Sequence, residues 1–314
     1  MRSSLFYRLF PPPKFLHTPF AGLEISNDAI RLIEYTPHSH GLAILKYDRQ
    51  DISAGIIVDG EVKDEAKLIE LLSQFAHKNK VSHVEVSVPE EKTYLFQTDI
   101  PSFNIDIIRQ NIESKIEDNV PLSARDVEFY FNIIPPVSGG PIRASVLVVS
   151  RSYIEKLISI LRQSGLNPIA FATVPKAIAR AVALPHTETV KIVAHIMTSS
   201  VGMYVISGDT VLFSSTIPWN VAGASGDLAR EINKVYSYWI TRSDMPAAIS
   251  GIIISGRGAA TVAESLKTNS EIQLPIEMPD VWKNAFDINT YVPPISLADS
   301  LEYVVAAGLA LPTS

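Results

Sequence analysis

The feature of the sequence that most constrains the fold is a pattern that occurs twice. Three β-rich runs joined by short polar turns open residues 21–51, and three similar runs open residues 190–217. After each set, helical and strand-like segments alternate, which is typical of helices packed on a mixed sheet. The 314 residues are enough for about two domains. We therefore predict an α/β protein built from two βββαβα halves that face each other.

The chain divides into a leader, two domains and an insertion. Residues 1–20 form the leader, 21–186 the first domain and 187–314 a shorter second domain. Within the first domain, at about residues 93–150, the predicted order of elements changes to strand, helix, strand, strand. Four isoleucines recur there at helical spacing. This stretch is predicted to be a small α+β subdomain inserted into the first domain.

The leader combines apolar and basic residues. Leu5, Phe6, Leu9 and Phe10 recur at helical spacing beside two arginines, and three prolines follow. The pattern predicts either a short anchor on a membrane surface or on a partner, or a loosely ordered terminus that packs a few side chains on the body of the protein. It lacks the apolar core and cleavage site of a signal peptide.

Composition excludes several classes of function. The chain has 27 lysines and arginines against 33 aspartates and glutamates, and this net charge of −6 argues against a general nucleic-acid binder. The absence of cysteine excludes disulfides, thiolate catalysis and zinc–thiolate sites. No run of about 18 apolar residues provides a transmembrane helix. We therefore expect a protein of the cytosol.

One segment resembles a known phosphate-binding motif. Residues 22–31 read Gly-Leu-Glu-Ile-Ser-Asn-Asp-Ala-Ile-Arg. They are similar to the first phosphate motif of actin-like ATPases as it occurs in PilM-type proteins of type IV pilus assembly, roughly Gly-Ile-Asp-Ile-Gly-x-x-x-x-Lys. A tight turn after a β run presents N–H groups and hydroxyls to phosphate, and Arg31 adds positive charge.

Further segments in the family's order extend this resemblance over about residues 20–311. They are the turn at Val58–Lys63, the end of the isoleucine helix from Glu117 to Pro121, the step from Ser164 to Pro168, and the helix Leu228–Trp239. The resemblance implies the actin-like, ribonuclease H-like fold, in which duplicated βββαβα domains enclose a nucleotide cleft. It also implies ATP and Mg2+ as the cofactors to consider.

Ten residues correspond to the three nucleotide loops of that fold. They are Glu24, Ser26, Asn27 and Arg31 in the first loop, Thr198, Ser199 and Ser200 in the second, and Gly256, Arg257 and Gly258 in the third. The resemblance implies that these residues would bind the cofactor. In the same way, the carboxylate of Glu24 would hold a hydrated Mg2+.

The loops depart from the family pattern at positions that contribute to ATP binding and hydrolysis. Glu24 and Ser26 stand where the family has Asp and Gly, and the second motif has lost its Asp, which is His195 here. Arg257 either reaches a nucleotide or fills the cleft and excludes it. Because ATP turnover needs a metal, phosphate clamps and a positioned water, we expect weak or lost ATP binding and no enzymatic activity.

The function that the resemblance implies is that of a scaffold in the type IV pilus assembly platform. PilM-type proteins bind the N-terminal peptide of a bitopic PilN-like partner in a groove between the first core domain and the inserted subdomain, and they meet other platform components. Phe96, Ile100 and Phe103 would line this groove, or would instead be the subdomain's own core. The protein would lie at the inner face of the cell membrane, held by its partner or its leader.

Two other functions stay open on the sequence. One is a Mg-ATP-binding ATPase or kinase-like enzyme of the actin-like superfamily, which requires nucleotide binding that is sensitive to Glu24 and Arg31. The other is an FtsA-like cell-division protein or a secretion-platform protein, but an FtsA-like chain should end in an amphipathic membrane helix. Outside these motifs, the acidic pair Glu90-Glu91 is predicted to be a solvent-exposed step after a strand.

Overall fold

The computed structural model describes residues 19–39, 41–134, 140–184, 187, 189–219, 225–242, 247–269 and 271–312. Residues 1–18 of the predicted leader, and residues 185–186 at the predicted domain boundary, lie outside this part of the chain.

The described residues form the following elements in chain order. The strands are β1 (Ala21–Ile25), β2 (Ala29–His38), β3 (Gly41–Asp51), β4 (Ile57–Val58), β5 (Glu61–Val62), β6 (His83–Val88), β7 (Thr93–Asp99), β8 (Val127–Ile134), β9 (Arg143–Ser150), β10 (Asn167–Thr173), β11 (Val190–Ile196), β12 (Ser200–Ser207), β13 (Thr210–Pro218), β14 (Ile249–Gly256) and β15 (Ile276–Glu277). The helices are α1 (Glu65–Asn79), α2 (Ile105–Asn119), α3 (Arg151–Gln163), α4 (Val174–Val182), α5 (Ser225–Ile240), α6 (Ala259–Lys267), α7 (Leu297–Ser300) and α8 (Val304–Ala310).

Two five-stranded sheets with one topology make up the two halves. The first sheet has the order β10-β6-β1-β2-β3 and the second the order β15-β14-β11-β12-β13. In each, the first three strands form an antiparallel meander and a later strand pairs in parallel with the first strand of that meander. The structure therefore confirms the predicted duplication, although the two-residue strand β15 was too short for its periodicity to predict it.

The insertion forms a separate small layer. Its three antiparallel strands have the order β7-β9-β8, and α2 lies on one face of the sheet. Asn104 begins α2 by accepting the backbone N–H groups of residues 106 and 107 with its side chain. Three isoleucines of the helix, Ile108, Ile112 and Ile116, are fully buried in the insertion's core, as their spacing predicts.

The other face of the inserted sheet reaches the second half of the chain. Gln97 Nε2 donates to the carbonyl oxygen of Leu212 at 2.8 Å. The hydroxyl of Ser145 donates to the carbonyl oxygen of Val211 at 2.5 Å. Both acceptors belong to β13, the edge strand of the second sheet. The insertion therefore connects the first half to the second, because one face of its sheet is covered by α2 and part of the other by β13.

Two helices cross closely where the halves meet. A Cβ at Gly308 of α8 would lie 1.8 Å from the carbonyl oxygen of Ala177 in α4, so only glycine permits this approach. A 3-10 turn at Leu301–Tyr303 separates α7 from α8. This turn carries Glu302 toward two arginines of the first sheet.

In the described parts of the chain, no helix has both the length and the apolar character that crossing a membrane requires.

Candidate functional site: a closed cleft and an apolar groove

The first predicted loop begins at a buried ion pair between neighbouring strands. Glu24 on β1 lies directly opposite Arg31 on β2, and Arg31 Nη1 is 3.3 Å from Glu24 Oε1. Arg31 Nη2 lies 3.6 Å from the carboxylate of Glu302. Burial raises the pKa of Glu24 to about 7, against the opposing effect of the Arg31 charge. The guanidinium that would meet a phosphate is therefore surrounded by the protein's own carboxyl groups.

The turn between these strands bonds mainly to itself. The Ser26 hydroxyl lies 2.8 Å from Asp28 Oδ1 and accepts the N–H of Ala29 at 3.1 Å. Asn27 Oδ1 accepts the backbone N–H of Gly60 at 3.0 Å, which fixes the turn against the β4–β5 hairpin. The Ser26 hydroxyl and the Asn27 side-chain oxygen are thus both hydrogen-bonded within the protein.

The second and third loops bond across the cleft to the first. The Thr198 hydroxyl donates to Asp28 Oδ2 at 2.6 Å, and Arg257 Nη1 lies 3.0 Å from Thr198 Oγ1 and 3.4 Å from Asp28 Oδ2. Burial alone would raise the pKa of Asp28, but hydrogen bonds from Thr198 and Ser26 hold it below its ordinary value. Asp28 is therefore an anion that joins the two halves, and Arg257 occupies the cleft.

His195 forms the buried wall of the cleft from β11. It is 4% exposed, and its Nδ1 lies 3.1 Å from the Ser255 hydroxyl. Burial, with the nearby Arg31 charge, lowers the pKa of His195 to about 3. A neutral imidazole thus stands where the resembling family carries a carboxylate.

The side chains leave little space between the loops. The cavity among Glu24, Ser26, Arg31, Thr198 and Arg257 measures about 10 Å3, and a neighbouring one beside Asn27 about 30 Å3. The first has room for about one water molecule. In this arrangement the residues present do not fit a nucleotide.

Not all of the predicted site residues line the two small cavities of the cleft. Gly256, with a φ of 90°, also lines the smaller cavity, whereas Ser199, Ser200 and Gly258 line neither one. Among the described residues, no group of three or more His, Asp or Glu side chains is placed to hold a metal ion. The Oε1 atom of Glu24, the predicted metal ligand, is engaged by Arg31.

The sequence motifs did not single out two residues of the cleft, Asp28 and Glu302. The carboxylate of Asp28 in a loop that resembles a phosphate motif was the available indication, because an anion at that position opposes phosphate. For Glu302 the sequence offers none, since its contact with Arg31 joins residues far apart in the chain.

A larger cavity lies between the insertion and the edge of the first sheet. This groove measures about 390 Å3, within the range of ligand-binding pockets. Apolar and aromatic side chains dominate its wall; they are Val88, Phe129, Tyr130, Leu147, Val149, Ile154 and Phe171. β8 and β10 are both edge strands of their sheets. Each pairs with a neighbouring strand on one side only, so the groove lies between two strand edges that no other strand of the sheets covers.

The charged residues of the groove are already paired. Arg180 bonds Glu85, Arg151 bonds Glu128 at 2.9 Å, and Lys176 Nζ lies 2.7 Å from Asp209 Oδ2. Lys176 also lies 5.5 Å from the centroid of the Tyr130 ring. The groove therefore presents an apolar surface, and the charged side chains beside it are neutralised by ion pairs within the protein.

The three residues predicted to line a partner groove do not line this one. Phe96 and Ile100 are 9% and 4% exposed and belong to the insertion's own core, which was the alternative that the sequence left open. Phe103 is exposed and lies outside the groove wall. The strand and loop pattern around these residues could not distinguish a core face from a groove face, because both are apolar.

The prediction that Glu90-Glu91 is a solvent-exposed step is wrong for its first residue. Glu90 is 8% exposed, and its Oε2 accepts a hydrogen bond from the Thr216 hydroxyl of β13 at 2.7 Å. The short 3-10 turn at Glu90–Lys92 directs this side chain to the second half. Burial raises the pKa of Glu90 well above its usual range.

Solved structures with the same architecture define the class of protein. The chain matches the PilM-PilN type IV pilus biogenesis complex with a TM-score of 0.76 at 16% identity, over 93% of this chain and 98% of that one. It matches the cytoplasmic domain of EpsL, an inner membrane component of the type II secretion system of Vibrio cholerae, with a TM-score of 0.52 at 12% identity over 94% and 97%. The ethanolamine utilization protein EutJ from Carboxydothermus hydrogenoformans gives 0.50 at 12% over 96% and 91%. The protein thus has the actin-like fold.

The family is shown by sequence. Residues 22–219, well over half of the chain, match the family model of the type IV pilus assembly protein PilM. The chain belongs to this family. No curated protein matches it significantly in sequence.

Proposed function

We propose that this protein is a scaffold of the type IV pilus inner-membrane assembly platform. It binds the cytoplasmic N-terminal segment of a PilN-like bitopic membrane protein and does not hydrolyse ATP. The observation that carries this proposal is the apolar groove between the insertion and β10. Family membership and the likeness to a structure titled as a PilM-PilN complex support the choice of partner.

The groove suits an extended peptide. Its wall offers apolar surface, whose burial stabilises a complex by about 25 cal/mol per Å2 before the costs of ordering the peptide. A segment in extended conformation can also pair its main chain with the free edge of β8 or β10. Because the charges around the groove are paired within the protein, affinity depends mainly on apolar side chains and changes little with salt.

The cleft supports a function without nucleotide turnover. Asp28, Thr198 and Arg257 connect the loops directly, and Glu24 is paired with Arg31. Phosphoryl transfer relies on a metal and positive groups that remain available to the phosphates. The direct contacts between the loops support a scaffold that works without nucleotide. The protein then resides at the inner face of the cell membrane through its bound partner, with the leader as a second route.

The peptide site is tested by two matched tyrosine variants. Tyr130→Ala removes an exposed ring from the groove, whereas Tyr94→Ala removes an exposed ring from β7, at the opposite edge of the same inserted sheet. We expect Tyr130→Ala to weaken binding of a synthetic N-terminal peptide of the PilN-like protein by about tenfold or more, measured by fluorescence anisotropy. Tyr94→Ala should bind as wild type. Equal affinities for both variants would place the peptide elsewhere.

The nucleotide part is tested by calorimetry with ATP and Mg2+. We expect no heat of binding up to millimolar nucleotide. Micromolar binding that is lost in Arg31→Ala would show that the cleft opens to a nucleotide, and would replace the nucleotide-free scaffold with a nucleotide-dependent one.

A further inference from the structure

The outer edge of β3 differs from the equivalent edge in the second half. β3 and β13 are each the last strand of a meander and lie at the same edge of their sheets. The insertion covers part of the edge of β13 through two hydrogen bonds. On β3, the N–H of Leu42 donates to the carbonyl oxygen of Ala285, and the Tyr291 hydroxyl lies 3.5 Å from the carbonyl oxygen of Ile44. Beyond this point, over residues 46–51, no strand of the described chain pairs with the edge.

The hydrogen bonds of β3 show which of its backbone groups face outward. The N–H of Ile52 donates to the carbonyl oxygen of Asp28 at 2.8 Å, which continues the register between β3 and β2. Bonded and non-bonded pairs alternate along an antiparallel ladder. Residues 46, 48 and 50 therefore bond to β2, whereas 47, 49 and 51 direct their N–H and carbonyl groups outward. A free edge of this kind is a template for a strand of another chain.

Large side chains are exposed on the same stretch of β3. Leu45 and Tyr47 are 52% and 43% exposed. The Tyr47 ring meets the Tyr303 ring edge to face, with 6.2 Å between their centroids. Apolar and aromatic surface beside a free strand edge favours an interface with another chain over a strand that stays in water.

The charges along this stretch favour a second copy of the chain as the occupant. Two copies that pair antiparallel about a two-fold axis place the central residue opposite itself. A centre at Lys46, Asp48 or Arg49 opposes like charges, which destabilises a strand pair. A centre at Gln50 pairs only the last three residues of β3. A centre at Tyr47 instead opposes the two tyrosine rings and places Lys46 of each copy opposite Asp48 of the other.

We propose that two copies of this protein associate through β3, centred on Tyr47, and join their first sheets edge to edge. Lys46 lies 2.8 Å from Glu34, and Asp48 lies 2.7 Å from Lys78. Pairing then extends these two ion pairs into a row of alternating charges across the interface. Because β3 and β10 are opposite edges of the first sheet, the proposal is independent of the peptide groove, and both grooves of the dimer stay open.

Cysteine cross-linking tests the register, since the chain contains no cysteine of its own. Opposed residues in an antiparallel pair have Cα atoms about 5.5 Å apart, a distance that a disulfide spans. We expect Tyr47→Cys to form a disulfide-linked dimer under mild oxidation, seen by non-reducing electrophoresis. Gln50→Cys is the matched control, because Gln50 is exposed on the same strand but would lie about 20 Å from its counterpart. It should stay monomeric.

Sedimentation velocity of the full-length protein tests reversible association. We expect the wild type to pass from monomer to dimer with a Kd of about 10 μM. Tyr47→Lys should raise this Kd about tenfold or more, because it opposes two ammonium groups at the centre of the interface. Tyr94→Lys, at an exposed ring on β7, should associate as wild type.

Three results would overturn the proposal. They are a wild type that stays monomeric up to about 200 μM, an unchanged Kd in Tyr47→Lys, and cross-linking of Gln50→Cys as fast as that of Tyr47→Cys. The first would assign the free edge to a different protein, and the other two would place the interface elsewhere. Tyr47 is exposed, so both of its variants should fold, and circular dichroism checks this.

Discussion

Single residues in the cleft bond to one another at positions where an actin-like ATPase would bind its ligand. Glu24 lies against Arg31, and Asp28 accepts from Thr198 and lies beside Arg257. His195 is held neutral in the middle of this network because a buried imidazolium would lose its hydration and meet the Arg31 charge. The protonation state of His195 is therefore coupled to folding.

We predict that His195 makes the protein sensitive to acid. Its native pKa is about 3, against an ordinary value of 6.5, so between these pH values the unfolded state binds the proton and the native state does not. The free energy of unfolding then falls as pH drops below 6.5, by up to about 1.4 kcal/mol per pH unit. Glu24, whose native pKa is raised, contributes with the opposite sign, since stability from it falls as pH rises.

Urea unfolding of the wild type and His195→Gln at pH 7, 6, 5 and 4 isolates the histidine, because Glu24 is common to both proteins. The difference in unfolding free energy should move in favour of His195→Gln as pH falls. If the unfolding free energies of the two proteins instead changed in parallel with pH, His195 would take up its proton in the native protein as readily as in the unfolded chain.

Among the elements, the inserted sheet has three different kinds of surroundings. One face packs on α2, part of the other bonds to β13, and the remaining part forms the wall of the groove. Alternation along β9 produces this division, since Val146 and Val148 face α2 while Leu147 and Val149 face the groove. A single strand thus serves the core and the proposed binding surface.

We predict that Ile100→Asp destabilises the insertion, whereas Phe103→Asp does not. Ile100 is buried in the insertion's core and Phe103 is 67% exposed. Loss of the buried side chain and burial of a carboxylate should cost about 3–5 kcal/mol, and the exposed change less than about 0.5 kcal/mol. Thermal unfolding followed by circular dichroism measures both. Similar melting temperatures for the two variants would contradict this assignment of the core.

We also predict that Asp209 of the second half helps to shape the groove of the first. It accepts from Lys176 with its carboxylate and its carbonyl oxygen, and this holds the Lys176 ammonium group over the Tyr130 ring. Asp209→Ala should weaken binding of the PilN-like peptide about threefold to tenfold. The control is Glu277→Ala, which breaks a comparable exposed pair with Lys191 away from the groove. Unchanged affinity in Asp209→Ala would show that the groove forms without the second half.

The whole molecule depends on the close crossing of α4 and α8. Besides the contact of Gly308 with α4, the backbone of α8 approaches Gly22 of β1. The largest hydrophobic core includes residues of α4, of α8 and of the second sheet. The arrangement of the halves is thus set by a tightly packed interface as well as by the polar contacts of the cleft.

We predict that Gly308→Ala lowers the free energy of unfolding by about 3 kcal/mol or more. The added methyl would overlap the carbonyl oxygen of Ala177, and neither backbone can yield without separating the helices. Urea unfolding measures the change, and near-ultraviolet circular dichroism reports whether Trp282 and other buried aromatic residues keep their packing. A loss below about 1 kcal/mol would mean that the crossing adapts easily.

The sequence by itself determined the elements and their order. The periods of apolar residues predicted both meanders, the strand and helix order of the insertion, and the isoleucine face of α2, because these patterns depend on local geometry. The likeness of the loops to phosphate motifs indicated which segments meet at the cleft. Tertiary structure alone decided which side chains pair there, why Glu90 is buried, and which strands form the groove. The reason is physical. Periodicity defines which face of an element is apolar, but the partner of that face depends on how the elements pack. The same holds for the partner of a charged side chain, since Asp28 accepts a hydrogen bond from Thr198, 170 residues away in the chain.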